Sequence, residues 1–174
     1  MKIINLFSGP GSGKSTTAAG LFYQMKCLGL EVELVTEYAK DMVWEHRHNI
    51  LEDQIYIFAK QQRRISRLRD HKIDWVITDS PIPLGLCYMK AEQQNLAFTQ
   101  VVMHVFNSYE NHNFYLARNV EYNPNGRNQK NVSEAQDVDD KLMHMLTQNH
   151  ITCDMIQGGE HAVRDILACL QIVK

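Results

Sequence analysis

Residues 8–16 read Ser-Gly-Pro-Gly-Ser-Gly-Lys-Ser-Thr and follow directly on the apolar run Ile3-Ile4-Asn5-Leu6-Phe7. A glycine-rich turn between a strand and a helix is a phosphate-binding loop. Gly9, Gly11 and Gly13 let the backbone aim its N–H groups at an anion, and Lys14 reaches the β- and γ-phosphates of a nucleotide. Ser15 supplies a hydroxyl for Mg2+, and Ser12 and Thr16 complete the cradle. A helix starting at this point adds unpaired N–H groups and the positive end of its dipole. One position departs from the usual G-x-x-x-x-G-K-[ST] pattern: Ser8 stands where the first glycine is expected.

Two carboxylates fall where a nucleotide enzyme needs them. Asp79 ends the apolar run Trp75-Val76-Ile77-Thr78, so it can hold Mg2+ directly or through water, in the manner of a Walker B motif. A solvated turn or a helix cap would use the same residue. Glu37 ends the run before Tyr38, and its chemistry separates two activities. An ATPase needs a group that orients water, whereas a kinase needs a base that takes the proton of an acceptor hydroxyl. Glu37 can be that base, or a first-turn charge satisfied by a helix dipole.

Those residues need a scaffold, and the chain alternates strands with helices. Strands are expected at 3–7, 31–37, 74–79, 113–117 and 153–156, and helices at about 14–28, 38–47, 51–69, 93–109, 133–148 and 160–170. Gly29 stops the first helix, Leu51, Ile55, Phe58, Ile65 and Leu68 form a stripe on the 51–69 helix, and Ser133 with Gln136 is a capping-box start. Residues 119–132, with Asn123-Pro124-Asn125-Gly126, read as a mobile loop. This pattern predicts a three-layer α/β/α fold with a five-stranded parallel sheet and ligands at the carboxyl edge of the strands. All 174 residues fit one domain, with no separate recognition module.

On the 51–69 helix the apolar stripe is interrupted at Gln61 and Gln62, so at least one amide faces inward. It can read the edge of a base or bond a neighbouring backbone group. Tyr38 and Trp44 can stack on an acceptor ring or serve as core. Lys60, Arg63, Arg64, Arg67, Arg69 and Lys72 put six positive charges within thirteen residues, a surface for DNA phosphates or a solvated helix face. Of these, Arg64 is the candidate substrate contact.

The run Gly-Pro-Gly-Ser-Gly-Lys-Ser-Thr, the strand-end Glu37 in V-T-E-Y-A-K and the D-S-P at 79–81 together resemble small P-loop kinases of nucleosides and related ribosides. E-Y-A-K is similar to the ribosylnicotinamide kinase domain. Glu37, Trp44 and a helix carrying Phe58 and Gln61/Gln62 resemble deoxynucleoside kinases, although D-S-P replaces their E-R-S signature. The whole chain also resembles compact P-loop enzymes of tailed phages, including those that phosphorylate hydroxymethylated uracil in DNA. The resemblance implies strand order 2-3-1-4-5, Mg-ATP as phosphoryl donor, and a lid at about 119–132. Arg118 and Arg127 then resemble the lid arginines that close over the phosphates.

Composition bounds the remainder. Hydrophobic residues at 44% and a net charge of −2 describe an ordinary globular chain without a strongly basic coat. Cys27, Cys87, Cys153 and Cys169 are scattered, which disfavours a zinc or dithiol site. With no signal peptide and no spanning apolar stretch, a cytoplasmic location is expected, that of the host cell for a phage enzyme. The expected function is a kinase acting on a hydroxyl of a nucleoside, nucleotide or hydroxymethylated pyrimidine, free or in DNA. The alternative is a P-loop ATPase or nucleotide switch without a small-molecule acceptor.

Overall fold

Alternation along β1 (Lys2–Phe7) decides how the molecule is layered: Ile3 and Phe7 enter one apolar core, Ile4 and Leu6 the other. The computed structural model describes residues 1–89, 95–119 and 131–172. Strands β2 (Val32–Val35), β3 (Trp75–Thr78), β4 (Glu110–Ala117) and β5 (Asp154–Gln157) join β1 in one parallel sheet, in the order β2-β3-β1-β4-β5. This is the expected order. β1 is central, and the chain passes from β3 to β4 across it, which makes its carboxyl end the switch point where such sheets bind ligands.

On one face, α1 (Lys14–Cys27) and α7 (Ala162–Cys169) bring Leu21, Met25 and Ile166 over Ile4, Leu6 and Ile77. The other face is covered by α4 (Gln54–Ser66), a 3-10 helix (Ile82–Tyr88), α5 (Leu96–Asn107) and α6 (Val132–Gln148). Their Ile65, Leu84, Val102, Phe106 and Leu142 close over Ile3, Phe7 and Val76. The architecture is thus the three-layer α/β/α fold. Two short helices, α2 (Tyr38–Trp44) and α3 (His48–Leu51), lie between β2 and α4. Among the described residues, no helix is long and apolar enough to cross a membrane.

Three local expectations change. The single helix over 51–69 divides into α3 and α4, because the Asp53 carboxylate accepts the Tyr56 N–H at 3.0 Å and restarts the helix there. That restart sets the phase: the buried positions are Gln54, Ile57, Gln61 and Ile65, while Ile55 is 63% exposed. Helix α6 is capped by Asn131, whose side chain accepts the Glu134 N–H at 2.9 Å, rather than by Ser133. Glu134 Oε1 accepts from Asn131 Nδ2 in return, so the reciprocal cap exists two residues earlier than expected. Strand β4 begins at Glu110, before the expected Asn113, because its polar start has partners. Asn5 Nδ2 donates to both Asn111 Oδ1 and Asn113 Oδ1, at 2.9 and 3.0 Å.

Candidate active site

The phosphate loop leaves β1 at Phe7 and enters α1 at Lys14. Gly11 and Gly13 hold φ values of 77° and 91°, which only glycine adopts cheaply. Gly13 is the N-cap and has no side chain with which to cap the first turn, whose N–H groups are oriented for an anion. Ser12 Oγ donates to Gly9 O at 3.0 Å and pins the loop across its base. Lys14 Nζ folds back to donate to Ser8 O and Gly9 O, both at 2.8 Å. Desolvation lowers the Lys14 pKa, opposed by the negative charges of Glu37, Asp79 and Asp139. The charges that would surround a nucleotide therefore already act on one another.

β3 lies beside β1, so Asp79 arrives at the loop. Ser15 Oγ donates to Asp79 Oδ2 at 2.6 Å, while the buried Asp79 Oδ1 has no hydrogen-bond partner. A buried carboxylate oxygen lacking a donor among the described residues, next to a serine hydroxyl, is the hard-oxygen pair that Mg2+ or its bound water takes. These two residues fit the ion. Glu37 is the N-cap residue of α2, but its side chain makes no capping bond. It lines the same cavity as Lys14 and Ser15.

That cavity holds about 520 Å3. The phosphate loop forms one end, from Pro10 to Thr16, and the other is walled by α2, α3, the start of α4 and the 3-10 helix. Its floor and sides include Val43, Leu51, Gln54, Ile57, Leu84 and Tyr88. Gln54 is buried and donates from Nε2 to Leu51 O at 2.6 Å. A Cβ on Gly85 would meet Gln54 Oε1 at 3.0 Å, so glycine gives this amide its room. Gln54 and Tyr88 escaped the sequence reading. Ile55 was counted into the stripe beside Gln54, and nothing in the residues before Tyr88 announces a 3-10 turn.

The other candidates are placed as follows. Gln61 is the inward amide: its Oε1 accepts the Tyr38 N–H at 3.0 Å, and its Nε2 lies 3.4 Å from Thr36 O and Thr78 Oγ1. It ties α4 to the ends of β2 and β3. Gln62 points elsewhere, donating to the Tyr109 hydroxyl at 3.1 Å. Arg64 is held by Thr36 and ion-paired with Asp41, and its guanidinium lies over the Tyr38 ring. Tyr38 stacks edge-on with Tyr56, and Trp44 is 61% exposed. None of these five side chains is among the cavity-lining residues. Arg118 donates to Pro10 O at 2.6 Å and pairs with Asp139 at 2.7 Å. Arg127 and the expected lid turn 123–126 lie outside the described residues.

Comparison with known proteins adds the family. The AAA domain family matches residues 3–164. The chain belongs to that family. This AAA domain also shares its fold with solved kinases. The thymidylate kinase of Ehrlichia chaffeensis is 16% identical over 99% of this chain and 98% of its own, with a TM-score of 0.61. The deoxyadenosine kinase of M. mycoides, in a structure with dCMP and dCDP, is 14% identical over 99% of this chain and 100% of its own, at 0.57. The same enzyme with bound dATP gives 16% identity, 98% and 100% coverage, and a TM-score of 0.55. At these identities the likeness is one of fold, a P-loop kinase fold related to that of deoxynucleoside and thymidylate kinases. No curated protein matches the sequence.

Proposed function

We propose that the protein is an Mg-ATP-dependent kinase that transfers the γ-phosphoryl group to a hydroxyl of a nucleoside, nucleotide or hydroxymethylated pyrimidine. One observation carries the reading: a single cavity of about 520 Å3 is lined by the phosphate loop, by Glu37 and by residues of α2, α3, α4 and the 3-10 helix. Small-molecule sites typically span about 300–1,000 Å3, so there is room for an acceptor beside the triphosphate. Loop amides and Lys14 hold the β- and γ-phosphates, and Ser15 with Asp79 would hold Mg2+, which supplies charge neutralisation on the phosphate oxygens. Glu37 takes the acceptor proton as the acceptor oxygen bonds to the γ-phosphorus and the bond to the β-phosphate oxygen breaks. Gln54 and Tyr88 recognise the acceptor.

The AAA domain match favours a second reading, an ATPase or nucleotide switch. Transfer of label from γ-labelled ATP to free nucleosides, mononucleotides and hydroxymethyluracil-containing DNA separates the two. Label in one acceptor supports the kinase. Release of inorganic phosphate alone, at a rate no acceptor changes, would overturn it. A DNA-borne acceptor draws on the phage-kinase resemblance and the basic run, but Arg69 stacks on Tyr109 and bonds Ser108 just before β4. Arg69 thus sits at the amino edge of the sheet, opposite the phosphate loop, while Arg64, bonded to Thr36 just after β2, sits at the carboxyl edge.

A further inference from the structure

The phosphate loop is gripped from behind by a carboxylate that the function above does not use. Asp139, on α6, accepts the Gly9 N–H at 2.6 Å through Oδ1 and Arg118 Nη2 at 2.7 Å through Oδ2. Arg118 spans onward to Pro10 O at 2.6 Å, so the two side chains close a ring through residues 9 and 10 of the loop. The pair is sheltered, with side chains 16% and 19% exposed. Gly9 is therefore glycine for its own reason: a Cβ there would sit 2.2 Å from Asp139 Oδ1 and 3.1 Å from Ala135 O. Its N–H is turned to Asp139.

A lone carboxylate this close to a triphosphate would repel it. Asp139 is paired with a guanidinium at 2.7 Å, so its charge is opposed by that of Arg118, and the geometric constraint is what the pair adds. We propose that Asp139, with Arg118, is a positioning residue for nucleotide binding: the Gly9–Asp139–Arg118–Pro10 ring presets the loop in the shape that receives the phosphates. A preset loop loses less freedom on binding, so the gain appears as affinity. The proposal rests on the nucleotide-binding half of the function above and is independent of the acceptor.

Calorimetric titration of the full chain with MgADP tests it, beside circular dichroism and a melting curve for each variant. Asp139→Ala should weaken MgADP about tenfold, the size of one lost charged hydrogen bond. Asp139→Asn, which keeps an oxygen for Gly9 but no charge for Arg118, should weaken it about threefold, and serves if the alanine variant does not fold. Gly9→Ala should weaken binding in the parent yet cost less than threefold further in the Asp139→Ala background, because both changes open the same ring. Affinities within twofold of the parent in folded Asp139 variants, with only the melting temperature lowered, would overturn the proposal alone. A parent that binds no MgADP would overturn the phosphate-loop reading together with it.

Discussion

Lys14 donates to two carbonyls at 2.8 Å, and three carboxylates act on its charge. Lys14→Ala should cut phosphoryl transfer by about 10²-fold or more, on the order of 3 kcal/mol, with the circular dichroism spectrum unchanged. Turnover equal to the parent would remove the loop from the chemistry. The two carboxylates separate by location. Asp79→Asn removes the charge beside Ser15, so the Mg2+ concentration for half-maximal rate should rise. Glu37→Gln should leave ATP affinity intact and slow single-turnover transfer by about 10²–10⁴-fold. Loss of ATP binding in Glu37→Gln, with unchanged chemistry per bound nucleotide, would show that it is no base.

Helix α6 shows how an element's start decides a side chain's address. Beginning at Val132 under the Asn131 cap, it brings Asp139 to the loop and Leu142, Met145 and Leu146 to the core. Asn131→Ala should lower stability by about 1 kcal/mol, or roughly 2–4 °C in the melting temperature of a chain this size. Ser133→Ala, one turn position inside, should stay within about 0.5 kcal/mol. Equal losses in the two variants would return the cap to Ser133. Helix α4 makes the same point through Gln61, whose amide joins Tyr38, Thr36 and Thr78. Gln61→Leu should loosen the start of α2, and faster amide exchange at Tyr38 would report it.

Across the molecule, three groups with raised pKa values share the core between the sheet and the α4–α6 layer: Cys87, Tyr115 and, packed against it, Cys153. Burial pushes both thiols from 9.0 up to about 12. Burial, then the Asp139 charge, pushes the Tyr115 phenol from 10.0 up to about 12. Raised folded pKa values mean that the native state holds protons the unfolded chain has released. The stabilisation is complete below about pH 9 and is lost as pH climbs toward 12. Urea midpoints should therefore fall steeply from pH 9 to 11, and a Cys87→Ala/Cys153→Ala variant should show a shallower fall. Identical slopes in parent and variant would mean that neither thiol drives the alkaline loss.

What the sequence determined by itself is what depends on neighbours along the chain. The phosphate loop needs glycines, a lysine and a serine at set spacings, and the alternation of strands and helices shows in local hydrophobic period, so the fold class and the candidates Lys14, Ser15, Asp79 and Glu37 were legible, whereas the strand order came only through the resemblance to P-loop kinases. Only the tertiary structure decided which polar groups meet across the chain. Gln54 faces the cavity because Asp53 restarts the helix, Gln61 is spent on Tyr38, and Asp139 reaches Gly9 from 130 residues away. A polar residue is inward or outward according to whether a distant donor meets it, and no periodicity records that. Asp139 lies between Asp137 and Asp140 in what reads as a solvated acidic stretch, and only the packing of α6 against the loop turns one of those carboxylates toward a backbone N–H.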